Sequence, residues 1–175
     1  MKKLLLALLL GLMASPALWA CSCLTKRPVE DAYRAADVVV KATMIKKEVV
    51  VGVGPKTDLS GGISRFREYG WNVLVDSSFT GWPFAKCTFT LNKIYKGGDQ
   101  AATIVVSTGL DSSECSVEFE LGHPYLIYAA NENGYYSTNI CTRTQEYNQT
   151  EAQALEGLAK PVKAVKPPVR KRRKG

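Results

Sequence analysis

Histidine is almost missing from this chain: of 175 residues, only His123 carries an imidazole. A site built on several histidines is thereby excluded, and a Ser-His-Asp arrangement is open only through the Gly122-His123-Pro124 turn, where a structural role is the plainer expectation. Acidic residues are missing from both ends, since all 16 lie within residues 21–159. After the first twenty positions, no apolar run approaches the roughly 20 residues that a membrane-spanning helix needs. Internal repeats are absent. The five cysteines include one close pair, Cys21-Ser22-Cys23, and its C-x-C spacing is tighter than the usual zinc spacing, with no second close pair to complete a site. No metal of its own and no cofactor are expected.

The N-terminus has the layout of a secretion signal. Lys2 and Lys3 precede an apolar run from Leu4 to Leu12, then Ser15, Pro16 and Ala17, with Ala20 offering a small residue for cleavage before Cys21. Residues 1–20 are therefore expected to be a signal peptide, and the mature protein to be exported, either periplasmic or secreted. Residues 160–175 carry eight positive charges, no acid and three prolines, a composition that cannot bury enough apolar surface to fold. This segment is expected to be a disordered basic tail, either simply solvated or attracted weakly to an anionic envelope surface. The charge of +7 belongs to these ends: ten of the 23 cations sit in them, which leaves residues 21–159 at about −3. An acidic body argues against a nucleic-acid partner.

Between the ends, the pattern is mostly β. Pro28, Glu30 and Asp31 predict the start of a short helix reaching about Ala36. Strands are predicted over 38–45, 87–95, 102–108, 125–130 and 135–140, with Trp71 to Val75 as a further candidate. The alternation of Cys87, Phe89 and Leu91 shifts by one at Ile94, which predicts a bulge. Lys96-Gly97-Gly98 and Asn131-Glu132-Asn133-Gly134 read as turns. A closing helix is predicted over 150–158, with Thr150 as its cap. Residues 46–86 read as irregular. The fold class is all-β with flanking helices, arranged as a small antiparallel barrel of about five strands. Tyr125, Tyr128, Tyr135 and Tyr136 are expected in core and hairpin packing rather than on a face that stacks single-stranded nucleic acid.

In an exported chain, disulfides are the default use of cysteine, and five is odd. Cys21 has two open fates. Leu18-Trp19-Ala20-Cys21 loosely resembles a bacterial lipobox, which would make the protein an outer-membrane lipoprotein with a blocked Cys21 amine. Ordinary cleavage would instead leave Cys21 with its amine and thiol.

The body resembles the netrin-like domains, and within them the inhibitory domain of the tissue inhibitors of metalloproteinases. The resemblance rests on Cys21-Ser22-Cys23, then Pro28, Ala32 and Asp37-Val38-Val39-Val40. It continues through Phe89-Thr90-Leu91-Asn92-Lys93-Ile94-Tyr95-Lys96-Gly97, Ser113-Glu114-Cys115, Phe119, Gly122, Tyr125-Leu126-Ile127-Tyr128-Ala129 and Asn139-Ile140-Cys141-Thr142-Arg143-Thr144. It covers roughly residues 21–145 of a domain bounded at 21–159. It implies an OB-fold, a five-stranded barrel, with disulfides Cys21–Cys115 and Cys23–Cys141 and with Cys87 as the unpaired thiol. It also implies a non-enzymatic role: the Cys21 amine and carbonyl oxygen would chelate the catalytic zinc of a target metalloprotease. Ser22 would enter that protease's specificity pocket, with Cys23, Ser113 and Glu114 alongside. Three departures stand out. A family cysteine falls near Arg34 here, Cys87 has no obvious family partner, and the family's second domain is replaced by the basic tail. The alternative expectation is a lipid-anchored envelope binding module with no inhibitory activity.

Overall fold

The apolar residues of this chain come largely in β-branched and aromatic runs, and these runs build one mixed sheet of seven strands. The computed structural model describes residues 23, 25–52, 66–67, 71–98, 101–110, 115–132 and 134–159. In chain order the elements are α1 (Val29–Ala35), β1 (Val38–Gly52), β2 (Asn72–Asp76), β3 (Phe84–Lys96), β4 (Thr103–Thr108), β5 (Pro124–Glu132), β6 (Tyr135–Ser137), a 3-10 turn (Ile140–Thr142), β7 (Gln145–Glu146) and α2 (Gln149–Leu158). All-β with flanking helices is thus the architecture. No helix among the described residues is long and apolar enough to cross a membrane.

Five strands close into a ring. β1 pairs antiparallel with β3 and with β5, β3 antiparallel with β4, and β5 antiparallel with β6; β4 and β6 complete the circle through a parallel pairing. The expectation of a purely antiparallel arrangement is corrected on two points. The β4–β6 pair is parallel, and β2 lies parallel to the far half of β1, pairing Glu48 with Asn72 through Gly52 with Asp76. β1 is long enough, at 15 residues, to serve three neighbours. The segment read as irregular therefore contributes seven residues to β1 and the first three to β3.

Strand alternation divides the core in two. Val38, Val40, Ala42 and Met44 of β1, Cys87 and Phe89 of β3, and Tyr125, Ile127 and Ala129 of β5 form one cluster. The intervening residues Val39, Leu126 and Tyr128 face a second cluster with Ala32 and Ala36 at the first helix and Ala152 and Leu155 of α2. Burying the Val, Leu, Ile, Met and Phe side chains among these contributes about 1.5–3 kcal/mol each. β3 changes phase along its length. Ala42 pairs with Leu91 and Lys41 with Lys93, so Asn92 is an extra residue, and Tyr95 is a second one between the partners of Val40 and Val39. These bulges are what the shift at Ile94 signalled, and they turn Tyr95 into the second cluster.

The Tyr95-Lys96-Gly97 turn ties β3 to α1. The Lys96 ammonium donates to the carbonyls of Tyr33 (2.8 Å), Arg34 (2.9 Å) and Ala36 (2.6 Å), which have no partner in the ended helix. Gly97 has φ +58°, and a Cβ there would stand 2.0 Å from the Asp37 carbonyl oxygen, so only glycine allows the approach. Two expectations at element ends are also corrected. The cap of α2 is Asn148, whose side chain accepts from the Glu151 N–H at 3.1 Å, not Thr150. β6 stops at Ser137 rather than Ile140, because Asn139 redirects the chain into the 3-10 turn.

Candidate functional site

The segment from Thr138 to Glu146 is the platform on which the N-terminal segment lies. It is shaped by short polar side chains acting on nearby backbone. The Asn139 carboxamide oxygen accepts from the Cys141 N–H at 2.9 Å, and the Thr142 hydroxyl donates to the Asn139 carbonyl at 2.7 Å. Together they wind Ile140–Thr142 into a single 3-10 turn, which ends at Arg143 in the left-handed region, φ +83°.

β6 and β7 leave a gap along β5. Ala130 pairs with Ser137 and Leu126 with Gln145, and Tyr128 lies between them. Threonine hydroxyls fill that gap. The Tyr128 N–H donates to Thr144 Oγ1 at 2.9 Å, and Thr138 Oγ1 donates to the Tyr128 carbonyl at 2.9 Å. Thr138 Oγ1 also lies 2.7 Å from Thr142 Oγ1 and 2.6 Å from Thr144 Oγ1. The buried backbone is thus satisfied without a strand partner, and the platform is fixed to the sheet.

Below the platform sits a buried ion pair. Glu151, at 7% exposure, accepts from Arg143 Nε (2.8 Å), Arg143 Nη2 (2.8 Å), Tyr128 Oη (2.7 Å) and the Gln145 amide. Burial opposes the charge on Glu151, but the hydrogen bonds from Arg143 and Tyr128 outweigh it and hold the carboxyl below its usual range. Burial, with the neighbouring carboxylate, raises the Tyr128 phenol.

Three contacts then hold the N-terminal segment. Cys23 is disulfide-bonded to Cys141, with Cα atoms 5.4 Å apart. Arg143 Nη1 donates to the Arg27 carbonyl, and Lys26 Nζ to Gln145 Oε1. Cys115 is close by. Its carbonyl accepts from the Ile140 N–H at 2.9 Å, beside Cys141. Cys115 has φ +56° and is itself disulfide-bonded. Cys23, Cys115 and Cys141 are thereby gathered at one place on the platform. Cys21, Ser22, Ser113 and Glu114 lie outside the described residues, as does the Cys21 end of the expected Cys21–Cys115 bridge. The signal segment 1–20 and the tail 160–175 are outside them as well.

The remaining candidates are placed as follows. Cys87 is an unpaired thiol, fully buried in the first cluster, and burial pushes its pKa up to about 12. Such a thiol is inert as a nucleophile and packs as a small apolar side chain. His123 is exposed, with Nε2 3.6 Å from Glu120 and Nδ1 3.9 Å from Glu146, while its carbonyl accepts from the Met44 N–H. Tyr125 and Tyr128 are buried and Tyr136 packs against the first cluster, as expected; Tyr135 is instead half exposed. Among the described residues, no group of three or more His, Cys, Asp or Glu is placed to hold a metal ion.

Sequence reading missed the holding residues. Arg143 falls inside the quoted Cys141-Thr142-Arg143-Thr144 run but had no assigned role, and Lys26, Gln145 and Glu151 carried no local signal. No protein-family model matches the chain, and no similar protein was found among curated sequences.

Proposed function

We propose that this chain is an exported, non-enzymatic netrin-like domain that inhibits a zinc metalloprotease through the amine and carbonyl oxygen of Cys21. The observation that carries the reading is the fixation of Cys23, Lys26 and Arg27 on the Thr138–Glu146 platform by one disulfide and two hydrogen bonds from charged donors. An α-amine has a pKa near 7.7–8, so zinc can displace its proton at neutral pH. With the adjacent carbonyl it forms a five-membered chelate and replaces the water that the metal would activate. Holding the segment rigid beforehand lowers the entropy lost on binding.

Two further observations support the reading. The spatial order β5-β1-β3-β4 is that of a Greek key, and closure through β6 gives five ring strands, the layout expected of an OB-fold. The cysteine count also favours a thiol at Cys21 over a lipid. Cys23 and Cys141 are paired together and Cys87 is buried and unpaired, so a lipidated Cys21 would leave the disulfide of Cys115 without a partner within the chain.

The test compares mature protein beginning at Cys21 with the same protein carrying one additional N-terminal alanine, against a panel of zinc endopeptidases. Inhibition by the first and its loss in the second is the expected result. Equal inhibition by both removes the chelation mechanism. An intact mass showing diacylglyceryl and acyl groups on Cys21 replaces it with the envelope-anchored module.

A further inference from the structure

A second site lies where the connection from β2 to β3 meets the β5–β6 turn, and it shares no residue with the stapled segment. A concavity of about 380 Å³ is lined there by Asp76, Phe79, Phe84, Glu132 and Tyr135, with Val50 among the lining residues.

Its walls are held in place. Phe79 and Phe84 meet edge to face, with ring centroids 5.1 Å apart and planes at 77°. Phe79 is seated by two glycines. A Cβ at Gly52 would stand 2.2 Å from the Phe79 carbonyl oxygen, and one at Gly81 would stand 2.6 Å from its ring Cζ. Asp76 closes the turn, accepting from the Ser78 N–H at 2.9 Å and the Ser78 hydroxyl at 2.6 Å, while its carbonyl accepts from the Phe79 N–H at 3.2 Å. Across the opening, Tyr135 is 55% exposed.

The charge of the opening is negative. The hydrogen bonds from Ser78 hold the Asp76 carboxyl below its usual range, with Lys86 as the cation acting on it. Among the described residues, Glu132 takes part in no ion pair. Aromatic faces attract cations through their quadrupoles, and two carboxylates at the rim add to that attraction. The same carboxylates repel a phosphate backbone.

We propose that this concavity recognises an organic cation, the guanidinium or alkylammonium head of a basic side chain. The aromatic rings face the head group and the Asp76 and Glu132 carboxylates neutralise it. The cation comes either from another molecule or from this chain's own residues 160–174, which supply eight.

The experiment is a backbone NMR titration of the full mature chain with Nα-acetyl-arginine N-methylamide, using the neutral citrulline analogue as control. Shifts confined to the amides around Val50, Phe79 and Tyr135 are expected, saturating at roughly millimolar concentrations, as suits a fragment with few contacts. Asp76→Asn combined with Glu132→Gln should weaken binding about tenfold. The asparagine still accepts from Ser78, so the turn persists and the variant's spectrum confirms it is folded. Changing the eight tail cations to glutamine distinguishes the sources: tighter probe binding identifies the tail as a resident competitor, and unchanged binding identifies an external ligand. Equal shifts with the citrulline analogue, or undiminished binding by the double variant, overturn the proposal, as does no saturation below roughly 100 mM.

Discussion

Replacing Glu151 with alanine tests the central structural claim, that a buried ion pair anchors the platform for the N-terminal segment. The carboxylate is 7% exposed and accepts four hydrogen bonds, two of them from an Arg143 side chain that is itself only 14% exposed. Glu151→Ala leaves a guanidinium without its carboxylate and a buried phenol without its acceptor. Breaking one side of such a pair costs about 3–5 kcal/mol, because the remaining charge stays desolvated. For a domain of this size that lowers the melting temperature by roughly 10–20 °C. Glu156→Gln is the control, since the Glu156 and Lys93 side chains are about half exposed and their pair contributes less than about 1 kcal/mol.

The measurement is thermal and guanidinium unfolding of both variants and the parent, repeated from pH 7 down to pH 3. The sign of the pH effect follows from the lowered carboxyl. The contribution of Glu151 is complete above the ordinary glutamate pKa of about 4.3 and is lost as pH falls through the lower folded value. The gap between the parent and Glu151→Ala should therefore narrow only below about pH 4. A cost under about 1 kcal/mol for Glu151→Ala, or a gap that does not change with acid, would refute the reasoning.

Lys96→Met keeps the length of the side chain and removes its ammonium from the Tyr33, Arg34 and Ala36 carbonyls; it should cost about 2 kcal/mol in urea unfolding, with Lys93→Met, whose side chain is about half exposed, as the reference at less than about 1 kcal/mol. The Cys87 thiol should give no reaction with a thiol reagent in the native protein at pH 8 and one equivalent in guanidinium, because burial holds it protonated and out of reach.

Much of the sheet was legible because its cause is local. The alternation in 87–95 showed both the inward face of β3 and the phase shift at Ile94, and β-branched runs marked β1 and β4. The N-terminal start of α1 was legible for the same reason, in Pro28 and the first-turn acids. What escaped was set by contacts distant in the chain. The parallel β1–β2 pairing joins residues over twenty positions apart, and nothing in Trp71 to Val75 reveals its partner or direction. Asn148 displaced Thr150 as the α2 cap because both are acceptable caps and only the path from β7 decides between them. Lys96 illustrates the limit best. The sequence Tyr95-Lys96-Gly97 reads as a turn, and it is one, but the ammonium's task becomes visible only when α1, more than sixty residues earlier, is placed beside it.

The same distinction bears on how the N-terminus could act. A disulfide fixes the position of Cys23 but leaves the chain free to turn about it, whereas the directed bond from Arg143 to the Arg27 carbonyl restricts orientation as well. Arg143 can hold that carbonyl only while its own planar head is oriented, and its orientation is set by two parallel bonds to Glu151. Glu151 is in turn positioned by α2, which packs Ala152 and Leu155 into the second cluster. Orientation therefore passes from the core, through α2 and the ion pair, to the stapled segment. On the proposed inhibitory reading, Glu151→Ala should weaken inhibition even under conditions where the variant remains fully folded, while Glu156→Gln should not. Weakening by both variants, or by neither, would separate the anchoring role of the ion pair from the chemistry of the N-terminus.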